Sequence, residues 1–146
     1  MSELEKFNSF FIYNSFGSEA DTHALINELV IRGKEVYLPR IEGKEMKAVR
    51  FSGNFEELSV NKFGIAEPLG QAYEGDLDVI VAPLLAINAR LCRLGYGGGY
   101  YDKFLSGSSA LKVGLGYHFQ LTEEFEEDEW DVPLDMFIND KGIIKL

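Results

Sequence analysis

At 146 residues, 46% of them hydrophobic and 26% charged, the chain has the size and mix of one globular domain that can bury a core without staples. Its 14 basic against 24 acidic residues, a net charge of −10, exclude a general nucleic-acid binder, which needs a basic face for phosphates, and a peripheral protein of anionic membranes. Cys92 is the only cysteine, which excludes an intrachain disulfide and a cysteine-based zinc cluster; no apolar run approaches the roughly 20 residues of a membrane span, and residues 1–10 do not form a secretory signal, so a cytoplasmic protein is expected.

Residues 10–13 (FFIY) form an apolar run before polar Asn14 and Ser15, which predicts a buried strand ending in a functional loop. Asp21 is placed to N-cap a helix over residues 22–32, with Leu25, Ile26, Leu29 and Val30 as its apolar stripe and Gly33 at the C′ position. Residues 36–38 read as a second strand stopped by Pro39, and residues 47–51 as a third, alternating one. Residues 55–75 read as mostly irregular. Residues 77–82 (LDVIVA) are β-branched, continuous and stopped by Pro83, the pattern of a strand buried on both faces. A helix is expected over 101–105 and a strand over 112–117, while the charge run 123–129 suits a solvated face. Residues 136–138 and 143–145 close the chain as short strands around a turn at 140–142. Strands alternating with helices predict an α/β domain with a largely parallel sheet, whose ligands sit beyond the carboxyl ends of the strands.

The loop after residues 77–82 carries the densest chemistry, RLGYGGGYYD from Arg93 to Asp102. Gly95, Gly97, Gly98 and Gly99 fall within five positions, which suits a backbone that turns tightly and brings successive N–H groups to an anion. Arg93 supplies a fixed positive fork before the glycines, and Asp102 a carboxylate after them suited to Mg²⁺ beside a phosphate. Tyr96, Tyr100 and Tyr101 offer flat surfaces for a ring. A flexible surface loop with incidental aromatics has the same composition. The string is neither a Walker loop nor a dinucleotide-binding fingerprint.

Residues 93–105, RLGYGGGYYDKFL, resemble the signature of the 5-formyltetrahydrofolate cyclo-ligase family. Other segments agree in order: EADT at 19–22, GKEVYLPR at 33–40, GIAEP at 64–68 and DVPLD at 131–135. The resemblance implies a three-layer α/β/α fold like that of ribose-5-phosphate isomerase and CoA-transferase-like proteins. It implies conversion of 5-formyltetrahydrofolate and ATP to 5,10-methenyltetrahydrofolate, ADP and phosphate, with Mg²⁺. By matched position, Arg93, Leu94, Gly95, Tyr96, Gly97, Gly98, Gly99, Tyr100 and Tyr101 would line ATP. Residues Tyr96 to Tyr100, Asn14 and Glu19 would border the folate, Arg93 and Tyr100 would be catalytic, and Asp102 and Asp135 would bind Mg²⁺.

The family carries a basic helical segment before its first strand, for which residues 1–9 have no counterpart; a folate- or nucleotide-binding homologue without turnover is therefore the alternative. Asn88 stands where the family has a carboxylate, and Leu91 where it commonly has glycine. Asp102 also suits a helix cap, Asp135 a surface carboxylate before a strand, and Glu19 a first-turn helix charge. Lys34 reads as an exposed cation after the helix, Cys92 as a small buried thiol, and Trp130 as a lid or packing anchor. His23 and His118 have no visible catalytic partner. A monomer or weak homo-oligomer is expected.

Overall fold

The computed structural model describes residues 2–95, 99–127 and 131–146. In chain order the elements are β1 (Ser9–Ile12), α1 (His23–Ile31), β2 (Glu35–Glu42), β3 (Glu45–Arg50), β4 (Ser59–Val60), β5 (Ala66–Glu67), β6 (Ala72–Tyr73), β7 (Val79–Ala82), β8 (Ala86–Ile87), β9 (Arg93–Leu94), α2 (Tyr100–Ser106), β10 (Leu111–Leu115), β11 (Met136–Asn139) and β12 (Gly142–Lys145). Eight strands form one sheet in the order β12-β11-β10-β7-β1-β2-β3-β6. The five from β11 to β2 are parallel; β12 and β3 run antiparallel to them on either side, and β6 pairs antiparallel with β3 at the outer edge.

All four residues of β1 and of β7 are buried, which a strand covered on both faces requires. Alternate side chains feed two cores. Phe10, Ile12, Val36, Val79 and Val81 pack with Ile26 and Leu29 of α1, whereas Phe11, Tyr37, Ile80 and Phe137 pack with Leu105 of α2. Each fully buried aliphatic or aromatic side chain contributes about 1.5–3 kcal/mol. From β1 the chain moves through α1 to β2 on one side; from β7, on β1's other flank, it moves through α2 to β10. Right-handed crossovers leaving in opposite directions put their helices on opposite faces. The order therefore reverses between β1 and β7, which opens a crevice beyond their carboxyl ends.

Helix α1 begins one residue later than the sequence pattern suggests. Thr22 occupies the N-cap position, while the Asp21 carboxylate accepts a hydrogen bond from the His23 N–H at 2.9 Å. The helix ends in a Schellman motif, with Gly33 N–H bonded to Val30 O and Lys34 N–H to Leu29 O; Gly33 has φ +78°. Strand β2 runs through Pro39 instead of stopping there. Its pairing with β1 covers only Ser9–Phe11 against Glu35–Tyr37, so Pro39 lies where β2 is bonded to β3 alone and a missing N–H is tolerated. The β2–β3 hairpin turns at Gly43, whose φ of +64° a side chain would disfavour.

Candidate active site at the switch point

Two loops form the crevice. The first leaves β1 and is tied into a fixed shape by Thr22, which is fully buried. The Thr22 hydroxyl donates to Tyr13 O (2.8 Å) and accepts from the Ser15 N–H (3.0 Å). The Tyr13 hydroxyl donates to Ala20 O at 2.6 Å. The Glu19 carboxylate accepts from the Phe16 N–H at 2.8 Å, and burial pushes its pKa upward despite that bond.

Asn14 is buried, and its amide is committed within the protein. Its Nδ2 donates to Ala66 O at 3.2 Å, and its Oδ1 lies 2.8 Å from His23 Nε2, the ring N–H of which donates to it. Asn14 thus joins the β1 loop to β5 and to α1. His23, which the sequence left without a task, is the residue that holds Asn14.

The second loop leaves β7. Arg93 lies beneath it with its side chain only 4% exposed. Its Nη1 donates to Pro83 O at 3.1 Å, its guanidinium carbon is 5.1 Å from the Tyr101 ring centre, and its Nη2 is 4.0 Å from Asp102 Oδ1. A Cβ on Gly95 would stand 2.5 Å from Arg93 Nη1, so this glycine is required for the guanidinium to lie under the loop. Gly99, at φ +72°, caps α2, which opens at Tyr100, one residue earlier than the sequence suggests. The Tyr100 hydroxyl donates to Gly43 O (3.4 Å), joining this loop to the tip of the β2–β3 hairpin. Burial pushes the Tyr101 phenol upward, so it stays neutral; Arg93 opposes that shift and Glu19 adds to it.

The structure brings Arg93, Leu94, Gly95, Gly99, Tyr100, Tyr101, Asp102, Glu19 and Asn14 to the carboxyl end of the sheet. Tyr96, Gly97, Gly98 and Trp130 lie outside the described residues. Asp135 is not brought there. Its Oδ2 accepts from the Lys112 N–H at 2.7 Å, and its own N–H donates to Lys112 O at 2.7 Å, at the amino-terminal start of β10 and β11. Spanning β10 at about 3.3 Å per residue separates it from the glycine loop by roughly 10 Å or more. Asp102 and Asp135 therefore do not form one metal site in this arrangement. Among the described residues no cluster of three or more His, Cys, Asp or Glu side chains could hold a metal ion. Asp102 alone still fits Mg²⁺, because this ion is commonly held by one or two carboxylates together with substrate phosphates.

Sequence reasoning missed the bracket in front of Arg93. The Asn88 Oδ1 accepts from the N–H groups of Arg90 (3.0 Å) and Cys92 (3.1 Å), while its Nδ2 donates to Glu127. Arg90 pairs with both Glu123 (3.6 Å) and Glu127, so part of the acidic run grips this loop instead of only facing solvent. A carboxylate at position 88 would face Glu127; asparagine removes that repulsion. Leu91 adopts φ +61°, which explains the glycine common at this position in the resembling family. The strain of about 1–2 kcal/mol for a left-handed non-glycine residue is offset by complete burial of the leucine side chain. Cys92 is buried, and burial raises its thiol pKa.

These features define an α/β protein with a buried guanidinium at the switch point of a parallel sheet. The chain belongs to the 5-formyltetrahydrofolate cyclo-ligase family, whose model it matches over residues 1–140. It is 36% identical over 132 residues to the 5-formyltetrahydrofolate cyclo-ligase of Haemophilus influenzae, covering 84% of this chain and 71% of that protein. The Escherichia coli K12 protein of the same name is also 36% identical over 132 residues, with 84% and 72% covered. The solved structure of Aquifex aeolicus 5,10-methenyltetrahydrofolate synthetase superposes with a TM-score of 0.84 at 34% identity, covering all of this chain and 75% of that one.

Proposed function

We propose that this chain catalyses the ATP- and Mg²⁺-dependent conversion of 5-formyltetrahydrofolate to 5,10-methenyltetrahydrofolate, releasing ADP and phosphate. The observation that carries this reading is the buried Arg93 guanidinium packed against Gly95 at the switch point of a family member. The γ-phosphoryl group of ATP passes to the formyl oxygen, breaking its bond to the β-phosphate oxygen and releasing ADP. The neighbouring folate nitrogen then attacks the formyl carbon and gives up its proton to solvent, and the carbon–oxygen bond breaks as the activated oxygen leaves as phosphate. Phosphoryl transfer of this kind needs positioning and charge neutralisation more than a protein nucleophile.

Arg93 and the N–H groups of the loop bind the phosphates, with Leu94, Gly95, Gly99 and Tyr101 lining them and Tyr96, Gly97 and Gly98 sharing that task by motif. Tyr100 holds the loop against the hairpin at Gly43. Asp102 would hold Mg²⁺, which neutralises phosphate charge when bound. Glu19 offers its carboxylate to the donor edge of the pterin. Asn14 shapes the folate side of the crevice through its bonds to Ala66 and His23. No helix among the described residues is long and apolar enough to cross a membrane, and the proposed setting is the cytoplasm, as a monomer or weak homo-oligomer.

Incubation with 5-formyltetrahydrofolate, ATP and Mg²⁺ is expected to produce the near-ultraviolet absorbance of the methenyl product, with no rise when ATP is omitted. Tight folate or nucleotide binding with no product on long incubation would overturn turnover in favour of a non-catalytic homologue.

A further inference from the structure

The turn after β10 has no part in the reaction proposed for the crevice, yet it carries Phe119, the most exposed aromatic side chain among the described residues. Phe119 is 81% exposed and Tyr117 38%, with their rings 4° from parallel and 5.4 Å apart. The turn is held on several sides. The Gln120 Nε2 donates to Leu84 O (2.8 Å) and Leu85 O (3.2 Å), and its Oε1 accepts from the Tyr117 N–H (2.7 Å). The Asp140 Oδ1 accepts from the His118 N–H at 2.7 Å, and the Thr122 N–H donates to Ile87 O at 2.8 Å. A Cβ on Gly116 would lie 2.5 Å from Gln120 Oε1, so this glycine makes room for the amide bracket.

The bracket ties the turn to the segment that carries the start of the glycine loop. The Leu85 N–H donates to Leu94 O at 2.8 Å, and both leucines are more than 40% exposed. A turn fixed by this many bonds keeps two rings in water, where burial would be worth more. A flat neutral ring that stacks on them would explain the arrangement.

We propose that Tyr117 and Phe119 form the platform for the adenine base of ATP, a proposal that rests on the function assigned above. The opposite wall of the crevice carries Glu19, the carboxylate that suits the donor-rich edge of a pterin. The chain leaving the turn carries Glu124 and Glu126 besides the Arg90-paired Glu123 and Glu127, and the Asp140 carboxylate sits at the His118 N–H. Acidic surroundings disfavour the anionic glutamate tail of a folate at these rings; the adenine base is neutral, and the ATP phosphates belong at Arg93, away from this turn. Stacking on an aromatic platform needs no charged partner.

The test uses the whole chain with Phe119→Ala, a change at an exposed position, and Phe119→Tyr as the conservative variant. The expected result for Phe119→Ala is a rise of about tenfold in the KM for ATP, with kcat and the KM for 5-formyltetrahydrofolate within twofold of the parent. Calorimetry should show weaker ATP binding and unchanged binding of inorganic tripolyphosphate, which has the phosphates without the base; Phe119→Tyr should restore ATP binding. A rise in the folate KM instead, equal weakening of ATP and tripolyphosphate, or no change at all would each overturn the platform. If the parent binds ATP but makes no product, the proposed reaction fails while the ATP–tripolyphosphate comparison still decides the platform. If the parent binds no ATP, both fail.

Discussion

The two ends of the parallel sheet use carboxylates to opposite effect. At the amino ends, Asp78 accepts from the N–H groups of Asn8 (2.8 Å) and Ser9 (3.1 Å), and Asp135 accepts from that of Lys112 (2.7 Å). These acids satisfy backbone donors where strands begin and tie neighbouring strands together. At the carboxyl ends, Asp102 stands 4.0 Å from the buried Arg93, whose guanidinium faces the Tyr101 ring, and Glu19 lies in the loop that leaves β1. The difference follows from topology. At the amino end the return from α2 to β10 is short, whereas at the carboxyl end the chains after β1 and β7 diverge and leave a crevice. An aspartate's motif neighbours therefore say less about its task than the end of the sheet on which it falls.

The largest test of this division is Arg93→Lys. Lysine keeps the charge and loses the planar fork that reaches Pro83 O while facing Tyr101 and Asp102. The expected loss in kcat/KM is about 10²–10³-fold, the scale of removing one preorganised donor from a charged transition state. Steady-state kinetics decide it: a loss below fivefold would break the assignment of this end as the catalytic one.

An intermediate effect is expected from Asp135→Ala. Losing the bond to the Lys112 N–H should lower unfolding stability by about 1 kcal/mol. The Mg²⁺ concentration for half-maximal activity should not move. Denaturant unfolding and a Mg²⁺ titration of activity measure the two quantities separately. A tenfold rise in the Mg²⁺ requirement would mean that Asp135 reaches the site and that the two ends are not separate in function.

Much of the site was legible because it is local. The glycines, Arg93 and Asp102 are close in sequence, and the β-branched run of β7 announces the strand that presents them. The commitments that cross the sheet were not legible. Asn14 reads only as a residue bordering the folate, and that β5 and α1 take both ends of its amide is a tertiary fact. Asp135 reads as a metal ligand until the β10–β11 register places it at the Lys112 N–H. Pro39 reads as a strand end because the one-sided pairing of β2 beyond Tyr37 is a tertiary fact. The hairpin at Gly43 did leave a local signal, a single glycine between two β-capable runs, and its pairing explains how Tyr100 finds a partner 57 positions away.

The smallest effect concerns Asp78 and sharpens what the amino end does. Its pKa is held below the ordinary value, first by the N–H of Asn8 and then by that of Ser9. A carboxylate depressed in the folded state contributes stability that is fully present above its unfolded pKa, about 3.9, and is lost as pH falls through the lower folded value. Asp78→Ala should therefore be less stable than the parent by about 1 kcal/mol at pH 6, the scale of hydrogen bonds to an exposed charged group. The gap should narrow as pH falls below about 4, because protonation removes the same interaction from the parent. Urea unfolding across this range measures the gap directly. A gap independent of pH would show that Asp78 acts through packing, and one that widened in acid would reverse its assigned part as a charged clamp on the starts of β1 and β7.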